Sequence, residues 1–284
     1  MRRMIPLLVA VVLLAGTVWG ISGCGGPQLG ATQEMLVDEP LTSAAVTEVN
    51  LELGEGKLVV APGALGLVSG TITYNVTEWR PKISRTDDSV AIRQGSTKGP
   101  SGEGDIVNQW DLELGQAPMR LKIEAGAYVG VLDLSGLSLQ GLDVEDGAAQ
   151  CQVVFNLPNP SQMELLRYRT GASTVSLRGL ANANLAALEF VGAAGTYSLD
   201  FSGQLRSDTV AEVTVAGGTL RIEVPGTTRL EARIKNTTAE VASEGAWTID
   251  GTTYRTPALV SDADGKTLTI EVEMTAGSAT LVCK

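Results

Sequence analysis

Apolar side chains recur at every second position over most of the chain that follows residue 46. Residues 120–145, "RLKIEAGAYVGVLDLSGLSLQGLDVE", show this alternation with small residues between the apolar ones. Successive side chains of a β-strand point to opposite faces, so the pattern predicts strands with one buried and one solvent-facing side. Leu188 and Phe190 are predicted to point inward and Glu189 outward. Long helical patterns are absent, and residues 162–167 predict one turn at most.

The unit of strand, small residue and strand occurs six times, with its central residues 19 to 25 positions apart. These pivots are Gly126, Gly147, Gly171, Gly192, Gly217 and Asn236. Gly and Asn fit a corner at which φ becomes positive at low cost. Repeats of this length are typical of solenoids, in which each coil buries its apolar face against its neighbours. The low aromatic content of 4% suits a narrow interior.

The sequence therefore predicts an all-β, stacked-strand β-solenoid with coils of about 20–25 residues over residues 117–284. Residues 46–116 have several strands and Gly turns, and they predict an N-terminal β module that caps the first coil. The alternative is an antiparallel β-sandwich, which also has short strands at steady spacing. The scarcity of Asn-Gly and Asp-Gly hairpin turns favours the solenoid.

The first residues, "MRRMIPLLVAVVLLAGTVWGISGCGG", have a basic start, a short apolar run and small residues at the end. This is the pattern of a secretory signal peptide, predicted here as residues 1–23. Ile21-Ser22-Gly23-Cys24 resembles a bacterial lipobox, which implies lipid on Cys24 and cleavage just before it. An ordinary signal with a chance cysteine and a retained anchor helix are the alternatives. Residues 24–45 are rich in polar and small residues and predict a flexible tether.

Four stretches, "LELGEGKLVVAPGA", "GTITYNVTEWRPKIS", "NQWDLEL" and "LDLSGLSLQGLDVEDGAA", resemble the bacterial toast-rack family. Its relatives are the putative-adhesin β-solenoids and the C-terminal domains of cell-wall-active antibiotic response proteins. The resemblance covers roughly residues 46–225. It implies an envelope protein with a stacked β fold and no established catalytic residues. The longer, less regular C-terminal end, residues 247–274, departs from the family pattern.

Composition excludes several classes of function. The chain has no histidine, which removes imidazole bases and ligands and hence Ser-His-Asp schemes and most catalytic zinc sites. Its net charge of −11 disfavours nucleic acid as a partner. Neither a cofactor nor a metal is predicted. With Cys24 assigned to lipid, Cys151 and Cys283 remain, and coils stacked about 4.8 Å apart separate them too widely for a disulfide.

Several local motifs suggest chemistry that their context does not support. Arg233–Lys235 is similar to a triplet of β-helical pectin hydrolases, but outward charges on a strand explain it. Gly265–Thr267 lacks the earlier glycine of a phosphate loop, since position 260 is Val260. Asp262, Asp264, Gly265 and Glu271 match part of a calcium loop, although a tight turn is favoured because Val260 occupies the first ligand position. The pairs Asp143 with Asp146 and Asp87 with Asp88 are interpreted as surface aspartates rather than acid and base.

The favoured function is that of a non-enzymatic, lipid-anchored envelope protein that acts as a binding, adhesion or envelope-stress scaffold. Its predicted partners are the membrane, through Cys24, and an envelope protein or polysaccharide. The alternative is an enzyme that acts on envelope polysaccharide from a β-helix scaffold, which would need clustered carboxylates or a metal. Trp79 and Trp110 offer either an exposed platform for a ligand or, as favoured, packing between the module and the first coil.

Overall fold

A computed structural model describes residues 28–96, 98–99, 105–235, 238–261 and 265–284. The described residues form one sheet system of 17 strands, with one short helix, α1, Pro257–Val260, and two 3-10 turns, Thr77–Trp79 and Leu180–Ala183. The strands are β1 Leu29–Glu39, β2 Thr47–Pro62, β3 Val68–Val76, β4 Lys82–Arg85, β5 Ser89–Arg93, β6 Asn108–Leu114, β7 Met119–Asp133, β8 Leu139–Val154, β9 Met163–Arg178, β10 Leu185–Asp200, β11 Thr209–Val224, β12 Arg229–Lys235, β13 Glu240–Gly245, β14 Thr248–Asp250, β15 Thr253–Arg255, β16 Thr267–Met274 and β17 Ser278–Cys283.

The long strands β2, β7, β8, β9, β10 and β11 stack in parallel, one above the next. Each runs 15 or 16 residues and contributes to two walls of the stack, one before and one after a corner near its middle. The all-β stacked-strand fold predicted from the sequence is confirmed, and the antiparallel sandwich is not the fold.

The core consists of columns of apolar side chains that repeat from coil to coil. One column runs through Leu51, Ile123, Val144, Tyr168, Phe190, Val213, Val272 and Ile234, which are paired in register and buried. Leu188 and Phe190 point inward and Glu189 points outward, as the alternation predicts. Burial of such a side chain contributes about 1.5–3 kcal/mol, so each coil is stabilised mainly by its two neighbours.

The corner glycines of β7, β8 and β9 are required by close approach rather than by a positive φ. A Cβ on Gly171 would lie 2.2 Å from the carbonyl oxygen of Gly147, and one on Gly147 would lie 2.9 Å from that of Gly126. None of these three has a positive φ. The column then shifts to Gly195, where a Cβ would lie 1.9 Å from the carbonyl oxygen of Ser173. Gly192 and Gly217, predicted as pivots, lie beside this column, and Asn236 lies outside the described residues.

The N-terminal end of the stack is closed by antiparallel strands. β1 pairs with β3, β3 pairs with β6, and β4 pairs with β5. The prediction of a flexible tether up to residue 45 is wrong for β1, because this strand pairs with β3 from Leu29 to Glu39. β2 already pairs in parallel with β7, so the stacked coils begin inside the predicted N-terminal module. The predicted boundary between residues 116 and 117 therefore divides a continuous stack.

The C-terminal coils are not stacked in the order of the sequence. β16 and β17 pair directly with β11, and β12 and β13 pair with the far sides of β16 and β17. The last segment of the chain therefore inserts between two segments that precede it. The irregular sequence after residue 245 includes the short antiparallel strands β14 and β15, which extend the wall from β12.

Candidate binding surface

The two walls of the stack expose different chemistry to solvent. We call the outward residues before the corner the charged face: Lys122, Glu124, Asp143, Glu145, Arg167, Arg169, Glu189 and Glu212. We call two columns of outward residues that follow the corner the uncharged face: Val129, Val131, Gln150, Gln152, Thr174, Ser176, Thr196 and Ser198. The next outward positions on the same wall include the charged residues Asp133, Arg178 and Asp200. Strand pairing places the members of each face in columns, because residues at equivalent positions of successive coils are in register.

Ion pairs between coils engage the side chains of the charged face. Arg167 contacts Asp143 on one neighbouring coil at 3.5 Å and Glu189 on the other at 2.8 Å. The hydrogen bond and the charge of Glu189 raise the pKa of the Arg167 guanidinium. Arg169 contacts Glu145 at 2.8 Å. Each exposed pair contributes little to stability, but together they neutralise charges that the register places about 4.8 Å apart.

The charged face contains an open groove of about 330 Å³ whose lining includes Glu48, Arg120, Lys122, Asp143 and Glu164. Two of these side chains pair with each other, since Arg120 contacts Glu164 at 2.7 Å. Lys122 pairs with Glu124 at 2.5 Å, and this hydrogen bond raises the pKa of the Lys122 ammonium. The groove is thus a shallow, salt-bridged depression rather than a site with an isolated acid and base.

The uncharged face has hydroxyl, amide and valine side chains without intramolecular partners. Within the described chain, the side chains of Thr174, Thr196, Ser198 and Gln150 form no hydrogen bond. Val129 and Val131 next to them are 44% and 42% exposed, which is high for valine. Thr219 of β11 and Ser278 of β17 extend the column that contains Thr174 and Thr196.

A buried polar cluster lies inside the stack at the corner. The Asp146 carboxylate accepts hydrogen bonds from the hydroxyls of Tyr168 at 2.8 Å, Ser173 at 3.2 Å and Thr170. Burial raises the pKa of Asp146, and the three hydrogen bonds oppose that shift. The Tyr128 hydroxyl donates to the sulfur of Cys151 at 3.2 Å. Because Asp146 is 6% exposed and its donors come from β9, the cluster joins coils and has no opening for a substrate.

The structure does not bring the predicted carboxylate pairs together as acid and base. Asp143 is on the outward face, where it pairs with Arg167, while Asp146 points inward. The interpretation of Asp146 as a surface aspartate is therefore wrong. Asp87 and Asp88 are exposed in the turn between β4 and β5, where the Thr86 hydroxyl donates to Asp88 at 2.7 Å. Asp87 and Asp88 therefore belong to an exposed turn, as the sequence predicts.

The other predicted motifs have structural roles. Arg233 and Lys235 are exposed on β12, where Arg233 pairs with Glu231 at 2.5 Å and Lys235 with Glu271 at 2.6 Å. The interpretation as outward strand charges is confirmed. Thr267 begins β16, a strand, so no phosphate-binding helix follows Gly265. Asp262 and Asp264 of the considered calcium loop lie outside the described residues.

Both N-terminal tryptophans are buried. Trp79 is 1% exposed and donates to the carbonyl oxygen of Lys98 at 2.9 Å. Trp110 is fully buried, donates to the side-chain oxygen of Asn108 at 2.9 Å and pairs in register with Leu58 of β2. Packing is therefore their role, and neither indole is an exposed platform.

Cys151 and Cys283 are free and buried. Cys151 is in register with Val175 of β9, and Cys283 is in register with Val224 of β11. Four strand spacings of about 4.8 Å, from β8 through β9, β10 and β11 to β17, separate their strands. That separation exceeds the Cα distance of about 7 Å at which a disulfide can form. Burial raises the pKa of both thiols.

Neither a metal-binding cluster nor a membrane-spanning helix is found among the described residues. Among the described residues, no group of three or more carboxylate or cysteine side chains is placed to hold a metal ion. The same part of the chain has no helix with the length and apolar character that crossing a bilayer requires. Cys24, the predicted lipidation site, lies outside the described residues.

The sequence repeat contains a pattern that indicates the uncharged face, namely a threonine shortly after the corner in three successive repeats. Thr174, Thr196 and Thr219 follow their corners in the segments "GASTVSL", "GTYSL" and "GGTLRI". Alignment of the repeats at the corner places these threonines in one column. That these threonines are neighbours with no charged residue between them follows from the pairing of β9, β10 and β11.

Residues 28–165 match the family model Toast_rack_N, described as the N-terminal domain of toast_rack, DUF2154. Among solved structures, the chain is similar to a putative cell adhesion protein from Clostridium sporogenes, at 17% identity over 89% of this chain and 100% of that one, with a TM-score of 0.49. A putative adhesin from Bacteroides fragilis matches at 8% identity over 88% and 97% of the two chains, with a TM-score of 0.34. No match was found among curated proteins. The predicted resemblance to the toast-rack family is confirmed.

Proposed function

On the premise that the chain carries a toast-rack N-terminal domain over residues 28–165, we propose that it is a non-enzymatic binding protein of the bacterial cell envelope. We propose further that lipid on Cys24 anchors it to a membrane on the extracytoplasmic side. An envelope-stress or adhesion role would be exerted through the outward faces of the coils.

One observation carries the binding role: the outward surface of the coils is wide, repetitive and open, and carboxylates such as Asp143 and Glu189 are engaged in ion pairs between coils. Asp143 and Glu189 pair with Arg167, and Asp146 is closed inside the stack. General acid–base catalysis needs a titratable group within reach of substrate and a pKa near the working pH. Extended faces instead suit a ligand that makes many weak contacts.

The anchor and the fold are close in sequence. Leu29, where β1 begins, follows Cys24 by five positions. Five residues span at most about 18 Å, so a lipid on Cys24 would keep β1 near the membrane surface. Two or more acyl chains on one cysteine would make this attachment stable, whereas a single chain gives only marginal binding.

The binding role is tested by retention on envelope extracts, with each outward carboxylate of the coils changed to its amide. We expect no single change to abolish binding, because the contacts are spread over a face. Thermal melting of each variant identifies those that fail to fold. One variant that melts like the wild type and has lost all activity would instead support the alternative, an enzyme acting on envelope polysaccharide.

The anchor is tested by labelling cells with palmitate. We expect the wild-type chain to incorporate label and Cys24→Ala to incorporate none. Cys151→Ala is the matched control, because it removes another cysteine and leaves Cys24 in place. Label on the Cys24→Ala protein would contradict lipidation at this residue.

A further inference from the structure

We infer that the uncharged face binds a neutral polysaccharide, an inference that rests on the proposed binding function and names its ligand class. The face lies on β7, β8, β9 and β10, four coils that are paired in register without interruption after the corner. Its outer column is Val129, Gln150, Thr174 and Thr196. Its inner column is Val131, Gln152, Ser176 and Ser198.

The first argument is charge. No ionisable side chain interrupts either column over the four coils, although 19% of the chain is charged and the opposite wall of the same strands is covered with ion pairs. Charged residues bound the face instead, with Lys57 on β2, Arg221 on β11, and Asp133, Arg178 and Asp200 two positions beyond the inner column on β7, β9 and β10. A charged ligand group that lies over the two columns would have to lose hydration without contacting an opposite charge there, which is unfavourable.

The second argument is unused hydrogen-bonding capacity. Within the part of the chain that the structure describes, Thr174, Thr196 and Ser198 have no partner for their hydroxyls, and Gln150 has none for its amide. A hydroxyl donates one hydrogen bond and accepts two, and an amide does both. A ligand that complements these side chains must both donate and accept hydrogen bonds through neutral groups. The hydroxyl groups of sugars do this.

The third argument is repetition. Equivalent groups recur about every 4.8 Å along the stack, and the two columns stand about 6.6 Å apart on each strand. A polymer laid along the stack meets the same pair of groups at every coil, so weak contacts add up. Val129 and Val131, both more than 40% exposed, offer apolar area to the C–H faces of sugar rings. A single sugar would use only one or two of these coils.

The experiment uses the full chain in detergent and measures its depletion by insoluble chitin, cellulose and mannan, with alginate as an acidic polysaccharide. The test variants are Thr196→Asp and Thr196→Lys, which place a charge of either sign in the outer column of the face, on β10. Thr214→Asp is the matched control, because Thr214 is an exposed threonine on the opposite wall of β11. Melting curves of all variants monitor folding.

We expect the wild type to bind at least one neutral polysaccharide, and both Thr196 variants to bind it at least about tenfold more weakly, a change of about 1.4 kcal/mol. Thr214→Asp should bind like the wild type. Stronger binding by Thr196→Lys, or equal binding by all variants, would overturn the inference. So would retention on envelope extracts without binding to any neutral polysaccharide, and the proposed binding function would then survive. If the protein bound neither envelope extracts nor any neutral polysaccharide, both this inference and the proposed binding function would be wrong.

Discussion

The hydroxyl of Tyr168 donates a hydrogen bond of 2.8 Å to the carboxylate of Asp146 on the neighbouring coil. Both residues are buried, and burial raises the pKa of the Tyr168 phenol above its ordinary value of 10.0, so the hydroxyl is a donor at neutral pH. The ring of Tyr168 stacks on that of Phe190 in the next coil, with centroids 5.8 Å apart. Tyr168 therefore links three successive coils through one polar and one aromatic contact.

The first prediction concerns this hydrogen bond. Tyr168→Phe keeps the ring and removes the donor to a buried carboxylate, so we expect a loss of about 1–3 kcal/mol in the free energy of unfolding. Tyr197→Phe is the matched control, because its hydroxyl donates to the neutral carbonyl of Gly171 at 3.2 Å and should cost less, about 0.5–1.5 kcal/mol. Urea unfolding measures both. An equal or smaller loss in Tyr168→Phe would contradict a stabilising role for this contact.

The second prediction concerns the pH dependence of stability. Burial holds the pKa of Asp146 above its ordinary value of 3.8 in the folded protein. Folding therefore favours the protonated form, and the stabilisation from that proton is complete below the unfolded pKa and lost as pH rises through the folded pKa. Asp146→Asn does not titrate, so we expect the stability of the wild type relative to Asp146→Asn to fall as pH rises from about 3.8.

Urea unfolding of both proteins at each pH measures this difference, and the comparison cancels the titration of all other groups. The relative stability of the wild type should become constant once Asp146 is ionised in both states. A relative stability that increases with pH would mean that the hydrogen bonds from Tyr168, Thr170 and Ser173 outweigh burial. Our assignment of burial as the dominant cause of the raised pKa would then be wrong.

The third prediction contrasts the two sides of one strand. Leu199 is fully buried, so Leu199→Asp places an unpaired carboxylate in the core and should cost several kcal/mol. Ser198→Asp introduces the same group one residue earlier, on the outward side, and should change stability by about 0.5 kcal/mol or less. Asp200 is a poorer control, since its carboxylate accepts two hydrogen bonds from Ser202 at 2.9 Å. Similar melting of both variants would contradict the register of β10.

The parts of the fold that the sequence predicted are those encoded by local patterns. The alternation around Leu188 and Phe190 determines which side of each strand is buried, and the repeat determines that the strands stack. β1 lacked such a pattern, because it is an edge strand that pairs on one side and buries only Val37. The insertion of β16 and β17 beside β11 depends on contacts between distant segments, which alternation within a strand does not encode.

The candidate binding surface was the least predictable feature. Asp143 and Asp146 are three residues apart, and in a strand this spacing places side chains on opposite sides. The glycine that follows Asp146 is typical of an exposed turn, and this pattern favoured the interpretation of both residues as surface aspartates. The corner instead closes Asp146 inside the stack, where hydroxyls of Tyr168, Thr170 and Ser173 from the next coil satisfy it.

The fourth prediction tests why glycine occupies the corners. A Cβ on Gly171 would lie 2.2 Å from the carbonyl oxygen of Gly147, whereas a Cβ on Gly217 would meet nothing closer than 3.9 Å. Neither residue has a positive φ, so steric contact is the only difference that alanine introduces. Gly171→Ala must push two coils apart, and overpacking of this kind costs about 1–3 kcal/mol. Gly217→Ala should be neutral or stabilise by about 0.4–1 kcal/mol, because it restricts the unfolded chain. Thermal melting of the two variants checks this, and equal losses in both would show that backbone conformation rather than contact between coils requires the glycines.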